Sequence, residues 1–306
     1  MTIKWKAHAE FNQSEMAAVL YFGTIVESDA THVTFEFVGK SVVLDGNFTG
    51  NPATAGTVTG FHYVKDGAPV LDASGYAMSF AALLDALPPG FSNPAPLKDL
   101  LAGDSLVFKG SAFHDVVDGG RFGDKFVGGK GIDVFDGGAG RDVVKGGGGG
   151  DALFGEEGND IIKGQGGDDR LHGGDGKDVI KGGGGDDDIL GGYYNGADTL
   201  TGNGGNDTFS FYIGKGSVDR ITDFQHGHDK IVIFLDGLVD VFDVAKDQFH
   251  VGSKAHDGDD RVIYDDTTGS IFYDADGKGG EGQIKVVKVD PHLHLSHNDF
   301  GLLPAT

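Results

Sequence analysis

The sequence predicts an all-β protein built around a parallel β-roll, with a small β-rich module before the roll and a β-rich capping module after it. Three observations lead to this prediction. Glycine is concentrated in one stretch, because 32 of the 55 glycines lie in residues 119–210. Large apolar residues recur in that stretch at a fixed spacing. Alternating apolar runs on either side of it are typical of strands.

The glycine-rich stretch consists of ten tandem units, whose positions we number as slots one to nine. Eight units run without a gap from Gly119 to Leu190, an eleven-residue unit follows, and the tenth unit ends at Ser210. The segment Gly110–Asp118 resembles a degenerate leading unit. Slot six is aspartate in all ten units, and slot eight is always large and apolar: Phe126, Phe135, Val144, Leu153, Ile162, Leu171, Ile180, Ile189, Leu200 and Phe209. A collagen helix is excluded because the period is not three and the stretch has no proline.

Each unit predicts one strand and one turn. Slots seven to nine predict a three-residue strand whose middle side chain faces one way and whose neighbours face the other. Slots one to six are rich in glycine, which adopts the positive φ angles of a tight turn without strain. Two units therefore make one coil of eighteen residues, coils stack at about 4.8 Å, and the slot-eight side chains meet in a thin core.

The slot-six aspartates predict a row of cation sites between stacked turns. Unneutralised carboxylates on stacked turns would repel one another, whereas carboxylates and backbone carbonyls together form the all-oxygen cages that suit Ca²⁺ better than Mg²⁺ or Zn²⁺. Ten turns offer at most eight gaps, hence up to about eight ions. The predicted side-chain ligands are Asp124, Asp133, Asp142, Asp151, Asp160, Asp169, Asp178, Asp187, Asp198 and Asp207. The predicted carbonyl ligands, from slots one and three, are Gly128, Lys130, Gly137, Ala139, Gly146, Gly148, Gly173, Asp175, Gly182 and Gly184.

Composition argues against several partners and chemistries. A formal charge of −23 disfavours nucleic acid and anionic membrane surfaces, since both attract basic proteins. No run approaches the ~18 apolar residues of a membrane-spanning helix. The chain has no cysteine for disulfides, thiolate metal sites or a nucleophile. No apolar run follows the cationic residues near the start, so we expect no cleavable export signal.

The ten units resemble GGxGxDxUx, the nonapeptide of repeats-in-toxin (RTX) proteins. That resemblance implies a Ca²⁺-bound parallel β-roll. Five positions depart from the pattern or interrupt it. These are Phe122 in slot four, Glu156, Gln165 and Asn203 in slot two, and the Tyr193-Tyr194 insertion.

The C-terminal third is similar to the module that accompanies secretion in the same family. The similarity lies in Ser217–Ile233, Asp259–Gly280 and a closing Asp299-Phe300. It implies an uncleaved signal for a type I exporter and release from a Gram-negative bacterium into the extracellular space. The residues themselves predict strands at Val262–Tyr264, Ile271–Tyr273 and Ile284–Val289, and an acidic turn at Asp274–Gly277 that could hold another ion.

Three domains are expected. Residues 1–105 form an N-terminal β-rich module, residues 106–210 the calcium-binding roll, and residues 211–306 the cap and secretion module. In the first, Thr31–Leu44 alternates, Phe61–Leu71 turns on Asp66-Gly67, Ser79–Leu87 predicts a short helix, and residues 88–104, with four prolines, predict a linker.

Three functions follow. The favoured one is a secreted Ca²⁺-binding protein with an adhesion, matrix or host-interaction role and no catalysis. The second is carbohydrate binding by residues 1–105, where Phe35, Phe37, Phe61 or Tyr63 could stack on the sugars of an extracellular polysaccharide or cell-surface ligand. The third is an enzyme, although neither H-E-x-x-H nor G-x-S-x-G occurs in the sequence. His292, His294 and His297 could also cluster around a transition metal.

Overall fold

A computed structural model describes, with side chains, residues 105–193, 196–214, 217–235, 243–277 and 282–303, together with the backbone of Phe242, Pro304 and the strands within residues 3–79. The chain groups into two compact units, Met1–Gly148 and Gly149–Thr306. The helices in the described residues are two short 3₁₀ helices, Lys246–Gln248 and His297–Asp299. Within the same residues, no helix is long and apolar enough to cross a membrane. The prediction of a mostly β protein is therefore confirmed.

The first unit contains the N-terminal strands and the first coils. Its strands, among the described residues, are β1 Ile3–Ala7, β2 Phe11–Asn12, β3 Thr24–Ser28, β4 His32–Phe37, β5 Lys40–Gly50, β6 Ala53–Lys65, β7 Ala68–Ser79, β8 Leu106–Lys109, β9 Asp115–Asp118, β10 Lys125–Lys130, β11 Val134–Asp136 and β12 Val143–Gly148.

Antiparallel pairing joins the N-terminal strands in chain order from β3 to β7, and β1 pairs with β7. The hairpin predicted at Asp66-Gly67 is confirmed, because Lys65 pairs with Ala68 across that turn. Ser79 ends β7, and the remainder of the helix predicted for Ser79–Leu87 lies outside the described residues, as does the whole of the 88–104 linker.

Parallel pairing joins the coils from β8 onward, and β1 and β2 also pair in parallel with β8 and β9. Strands β8, β10 and β12 pair in one sheet and β9 and β11 in the other, and partners such as Lys125 and Val143 are eighteen residues apart. The rings of Phe126 and Phe135, which come from opposite sheets, stack with centroids 4.8 Å apart. Consecutive units therefore form one coil with a two-layer core, as predicted.

The second unit continues the parallel coils and ends in a mixed β region. Its strands, among the described residues, are β13 Ala152–Glu157, β14 Ile161–Gly166, β15 Arg170–Asp175, β16 Val179–Gly184, β17 Asp188–Leu190, β18 Thr199–Gly204, β19 Thr208–Tyr212, β20 Asp219–Ile221, β21 Lys230–Leu235, β22 Phe242–Asp243, β23 Phe249–Val251, β24 Val262–Asp265, β25 Ser270–Tyr273, β26 Ile284–Lys288 and β27 Phe300–Pro304.

Two parallel sheets form the coils of the second unit. One contains β13, β15, β17, β19, β21 and β27, and the other contains β14, β16, β18, β20 and β26. The predicted C-terminal strands are confirmed, with β24, β25 and β26 pairing in antiparallel fashion. All ten slot-eight side chains of the chain are at most 1% exposed, so the residues predicted to form the core do form it.

The strands of the roll are longer than predicted. Most run for six residues, from slot seven of one unit through slot three of the next, as in Ile161–Gly166. The three-residue strand was wrong because the backbone of slots one to three also pairs with the neighbouring coil, for example Gly183 with Asn203. Slot two keeps a positive φ even where it is not glycine, at Glu156, Gln165 and Asn203.

Candidate metal centre

The slot-six aspartates form a buried ladder between successive coils. None of the ten side chains is more than 2% exposed. Each precedes the strand whose slot-eight side chain enters the core, and that strand holds the aspartate backbone in place. Burial of so many carboxylates requires a compensating interaction, because an isolated buried charge is very costly.

Aspartates of neighbouring coils are linked in pairs, because the backbone N–H of the first holds one carboxylate oxygen of the second. The N–H of Asp169 donates to Oδ1 of Asp187 at 2.9 Å, and the N–H of Asp187 donates to Oδ1 of Asp207 at 3.0 Å. The same bond recurs down the ladder with a period of one coil, at Asp115–Asp133, Asp124–Asp142, Asp151–Asp169, Asp160–Asp178 and Asp178–Asp198. The Oδ1 atoms are therefore held by the protein itself.

The second carboxylate oxygen lies in an oxygen-lined space. The buried Oδ2 atoms of Asp124, Asp169, Asp187 and Asp207 accept no hydrogen bond. A Cβ built on Gly182 would lie close to Oδ2 of Asp187 and 2.8 Å from the carbonyl oxygen of Gly202. Acidic and carbonyl oxygens thus face one cradle that only glycine leaves open. Oxygen ligands without a nearby donor are what a hard cation requires, so the residues present fit Ca²⁺.

Burial raises the pKa of these carboxyls far above their usual range. The pKa of Asp124 rises from 3.8 to about 7, although the backbone N–H of Leu106 opposes the rise. The pKa of Asp187 also rises to about 7, and those of Asp169 and Asp207 rise to about 6, with burial as the largest cause and neighbouring carboxylates adding to it. Without a cation, the ionised ladder is therefore a source of instability at neutral pH.

The slot-one carbonyls approach the aspartates as the cation hypothesis requires. A Cβ on a slot-one glycine would meet both the aspartate of its own unit and the slot-one carbonyl two units later. This brings together Asp115 with Gly128, Asp124 with Gly137, Asp133 with Gly146, and Asp160 with Gly173. Gly182 lies beside Asp187 of its own unit.

The slot-three carbonyls are placed differently. Those of Gly148, Asp175 and Gly184 accept hydrogen bonds from slot-four N–H groups of the neighbouring coil, at 2.9, 2.8 and 2.7 Å. At Lys130 and Ala139 the described bonds are donated by the backbone N–H, to Ser111 and Gly120. A carbonyl oxygen has two lone pairs, so these groups can still serve as ligands, and their role stays a prediction.

Three aspartates extend the ladder beyond the ten that sequence analysis selected. The N–H of Asp198 donates to Oδ1 of Asp219, and the N–H of Asp207 donates to Oδ1 of Asp229. Asp115 occupies the same position in the leading unit. The signal in the sequence is an aspartate two positions before a buried apolar residue, as in Asp219–Ile221 and Asp229–Ile231. Asp219 and Asp229 follow their partners Asp198 and Asp207 by 21 and 22 residues, so a search at the regular period does not find them.

Other metal hypotheses are less well supported by the geometry. Asp274 is buried, and its carboxylate accepts the backbone N–H groups of Asp276 and Gly277 at 3.3 and 3.1 Å. His297 Nδ1 pairs with the carbonyl of Val244 at 3.1 Å. Among the described side chains, three potential metal ligands lie close together at His256, Asp257 and Asp260. The predicted group of His292, His294 and His297 is not brought together in this way.

Comparison with known families decides what the coils are. A family model described as RTX calcium-binding nonapeptide repeat (4 copies) matches residues 118–153, 127–162, 145–180, 163–192 and 194–215. These segments are similar to RTX repeats. They contain the ten slot-six aspartates of the ladder, whereas Asp115, Asp219 and Asp229 lie outside them. The family is described as calcium-binding, so the match supports Ca²⁺ as the cation.

The RTX repeats cover only part of the chain, and other comparisons add little. Among solved structures, the extracellular lipase LipA from Serratia marcescens is similar at 17% identity and a TM-score of 0.23. The match covers 71% of this chain but only 41% of the lipase chain. A TM-score this low supports no conclusion about fold or activity. No curated protein matches the sequence.

Proposed function

We propose that this chain is an extracellular protein without catalytic activity, whose RTX repeats fold on binding Ca²⁺ and which serves adhesion, a matrix or host interaction. The observation that carries the proposal is the set of buried Oδ2 atoms without a donor, at Asp124, Asp169, Asp187 and Asp207. In each cradle the backbone fixes one carboxylate oxygen and leaves the other facing the gap between coils. Bound Ca²⁺ would supply the positive charge that this gap lacks.

The charge balance explains why folding would depend on the ion. Residues 119–210 carry seventeen acidic and nine basic residues, and the slot-six carboxylates are stacked one coil apart. Stacking ionised carboxylates in a desolvated gap costs free energy. A divalent cation bound between the carboxylates offsets that cost by attracting both of them. Because each coil contacts only its neighbours, we expect filling of the sites to be cooperative. Up to about eight ions would occupy the gaps.

The decisive experiment is a Ca²⁺ titration of the metal-free protein followed by far-UV circular dichroism. We expect a cooperative gain of β-structure with Ca²⁺, at concentrations of about 10⁻⁴–10⁻³ M that are typical of extracellular modules. Mg²⁺ should be ineffective, and a chelator should reverse the change. A chain fully ordered after exhaustive removal of metal would contradict the proposal.

Export is the second part of the proposal. Residues 211–306 would act as the uncleaved signal for a type I exporter of a Gram-negative bacterium, on the strength of the similarity at Ser217–Ile233 and Asp299-Phe300. In the low-calcium cytosol the repeats would stay unfolded and pass through the exporter. We expect a reporter fused before residue 211 to reach the medium only from cells that contain the exporter, and deletion of residues 290–306 to retain it inside.

Carbohydrate binding by residues 1–105 is a further candidate. The backbone register places Phe35 opposite Val42 and Val42 opposite Tyr63, so three adjacent strands contribute to one row. The side chains of this region lie outside the description. Glycan-array binding by the full chain that is lost on Tyr63→Ala would support this function. Absence of turnover on polysaccharide and ester substrates would support the proposal that the chain is not an enzyme.

A further inference from the structure

A row of aromatic rings crosses the outer face of one sheet in the unit Gly149–Thr306. It contains Phe154, His172, Tyr193, Tyr212 and Phe234, with centroid distances of 6.3, 5.1, 4.6 and 4.7 Å from one ring to the next. Phe154 and His172 are register partners in neighbouring strands, as are Tyr212 and Phe234. We call this set the aromatic row.

The rings of the aromatic row do not form a single stack. The contacts of His172 with Phe154 and with Tyr193 are edge-to-face, with interplanar angles of 82° and 81°. Tyr193 is tilted by 46° against Tyr212 and is 44% exposed. Tyr212 and Phe234 are stacked at 17°, so the ring planes change direction over the first three contacts and align at the last.

Charged and hydroxyl groups lie beside the rings. A cavity of about 250 Å³ is lined by the aromatic row and by Arg170, Asp188 and Ser210. Arg170 and Asp188 are register partners on neighbouring strands, and the positive charge of Arg170 acts on the Asp188 carboxyl. The cavity therefore combines apolar ring surface with a balanced pair of opposite charges and a hydroxyl group.

Neither the core nor the metal ladder accounts for this surface. The core is formed by slot eight, whereas Phe154 and His172 occupy slot nine and face outward. Tyr193 belongs to the unit that is two residues longer than the others. A partly exposed aromatic surface that continues over five successive coils is typical of an interaction site rather than of scattered apolar residues.

The chemistry of the lining favours one class of occupant. A purely apolar ligand would desolvate Arg170 and Asp188 without replacing their hydrogen bonds to water, which is costly. An anionic polymer would pair with Arg170 but would be repelled by the neighbouring Asp188 carboxylate in the same lining. A neutral sugar chain offers C–H faces that pack on aromatic rings, and hydroxyls that accept from a guanidinium and donate to a carboxylate.

We propose that the aromatic row is a binding site for a neutral oligosaccharide or polysaccharide. The site is separate from residues 1–105. The proposal rests on the proposed function only in that the coils must be folded, so Ca²⁺-dependent folding is measured alongside binding in every variant.

The test uses the full Ca²⁺-loaded chain in affinity gels containing soluble neutral β-glucan, mannan or galactan, with hyaluronan as an anionic comparison that Ca²⁺ does not gel. We expect retardation by at least one neutral polymer and none by hyaluronan. Tyr193→Ala should weaken the retardation about tenfold or more, equivalent to about 1.4 kcal/mol, and Arg170→Gln should also weaken it. Phe122→Ala is the matched control, because Phe122 is 43% exposed and Tyr193 is 44% exposed.

Several results would overturn the proposal. These are no retardation by any neutral polymer, equal loss with Tyr193→Ala and Phe122→Ala, or retention by hyaluronan, apolar peptides or lipid vesicles instead. A normal Ca²⁺ titration without sugar binding refutes this inference alone. Sugar binding by a chain whose folding ignores Ca²⁺ refutes the proposed function and leaves this inference standing.

Discussion

Replacement of Asp187 by asparagine tests the metal ladder most directly. Asp187→Asn keeps the size of the side chain and the Oδ1 atom that accepts the N–H of Asp169 at 2.9 Å. It exchanges Oδ2 for an amide donor beside the carbonyl oxygen of Gly202. The substitution therefore removes a negative charge from one cradle and supplies a hydrogen-bond donor in its place.

The expected gain in the metal-free state follows from the pKa of the carboxyl. Burial, opposed by the N–H of Asp169 and aided by nearby carboxylates, raises the pKa of Asp187 from 3.8 to about 7. The folded chain then binds this proton more tightly than the unfolded chain does. The stability that protonation of Asp187 gives the folded state is fully present below pH 3.8 and is lost as the pH rises through about 7. At pH 8 the ionised group costs the folded state about 4 kcal/mol, which asparagine avoids.

Ca²⁺ binding should change in the opposite direction. Asparagine contributes a neutral oxygen at best, so we expect the Ca²⁺ midpoint at pH 8 to rise about tenfold or more, which corresponds to about 1.4 kcal/mol. Circular dichroism measures both quantities, through the pH dependence of the metal-free β-signal and through Ca²⁺ titration. Asp259→Asn, at an exposed aspartate, is the control and should leave both unchanged. An unchanged Ca²⁺ midpoint in Asp187→Asn would refute the assignment of this residue to the metal ladder.

Three further predictions follow from the same coordinates. Gly182→Ala should destabilise the folded repeats and weaken Ca²⁺ binding, as measured by thermal unfolding and Ca²⁺ titration. Gly184→Ala should change neither quantity, because nothing lies within 4 Å of a Cβ at Gly184. Metal-free protein should gain β-structure when the pH falls from 8 to about 5. The pKa values of Asp124 and Asp187 are raised in the folded state, so protonation of these carboxyls stabilises that state. A monotonic loss of the dichroism signal over this pH range would contradict the prediction. Ile180→Ala should cost about 2–5 kcal/mol in the Ca²⁺-loaded state, and exposed Lys181→Ala less than about 0.5 kcal/mol, as measured by urea unfolding.

The core and the ladder could be predicted from the sequence because both repeat in every unit. A buried position such as Phe135 and a slot-six position such as Asp133 have the same surroundings in each coil, so period nine alone identifies them. The carbonyl ligands were harder to assign, since every residue carries a carbonyl and only the direction of the backbone distinguishes slot one from slot three. Pairing with the neighbouring coil sets that direction.

The extension of the ladder was missed for a related reason. Asp219 and Asp229 follow turns of altered length, so a fixed period does not reach them. Their position depends on strand pairing, in which Leu200 lies opposite Ile221 and Phe209 opposite Ile231. The aromatic row was missed because only Phe154 and His172 share a slot. Tyr193 follows strand β17, and Tyr212 and Phe234 lie beyond the ten units, so the fixed period does not relate the five rings.

The terminal members of the ladder differ from the interior ones. Oδ2 of Asp115 accepts the backbone N–H and the hydroxyl of Ser111 at 2.7 and 3.2 Å, and Oδ2 of Asp229 accepts the N–H of Gln225 at 2.8 Å. At these two positions the polypeptide itself donates to Oδ2, whereas Oδ2 of Asp124, Asp169, Asp187 and Asp207 accepts no hydrogen bond. Whole eighteen-residue modules could therefore be excised or duplicated in the sequence between Asp115 and Asp229 without altering either residue. The number of ions bound per molecule would then be an adjustable property in engineering and in evolution.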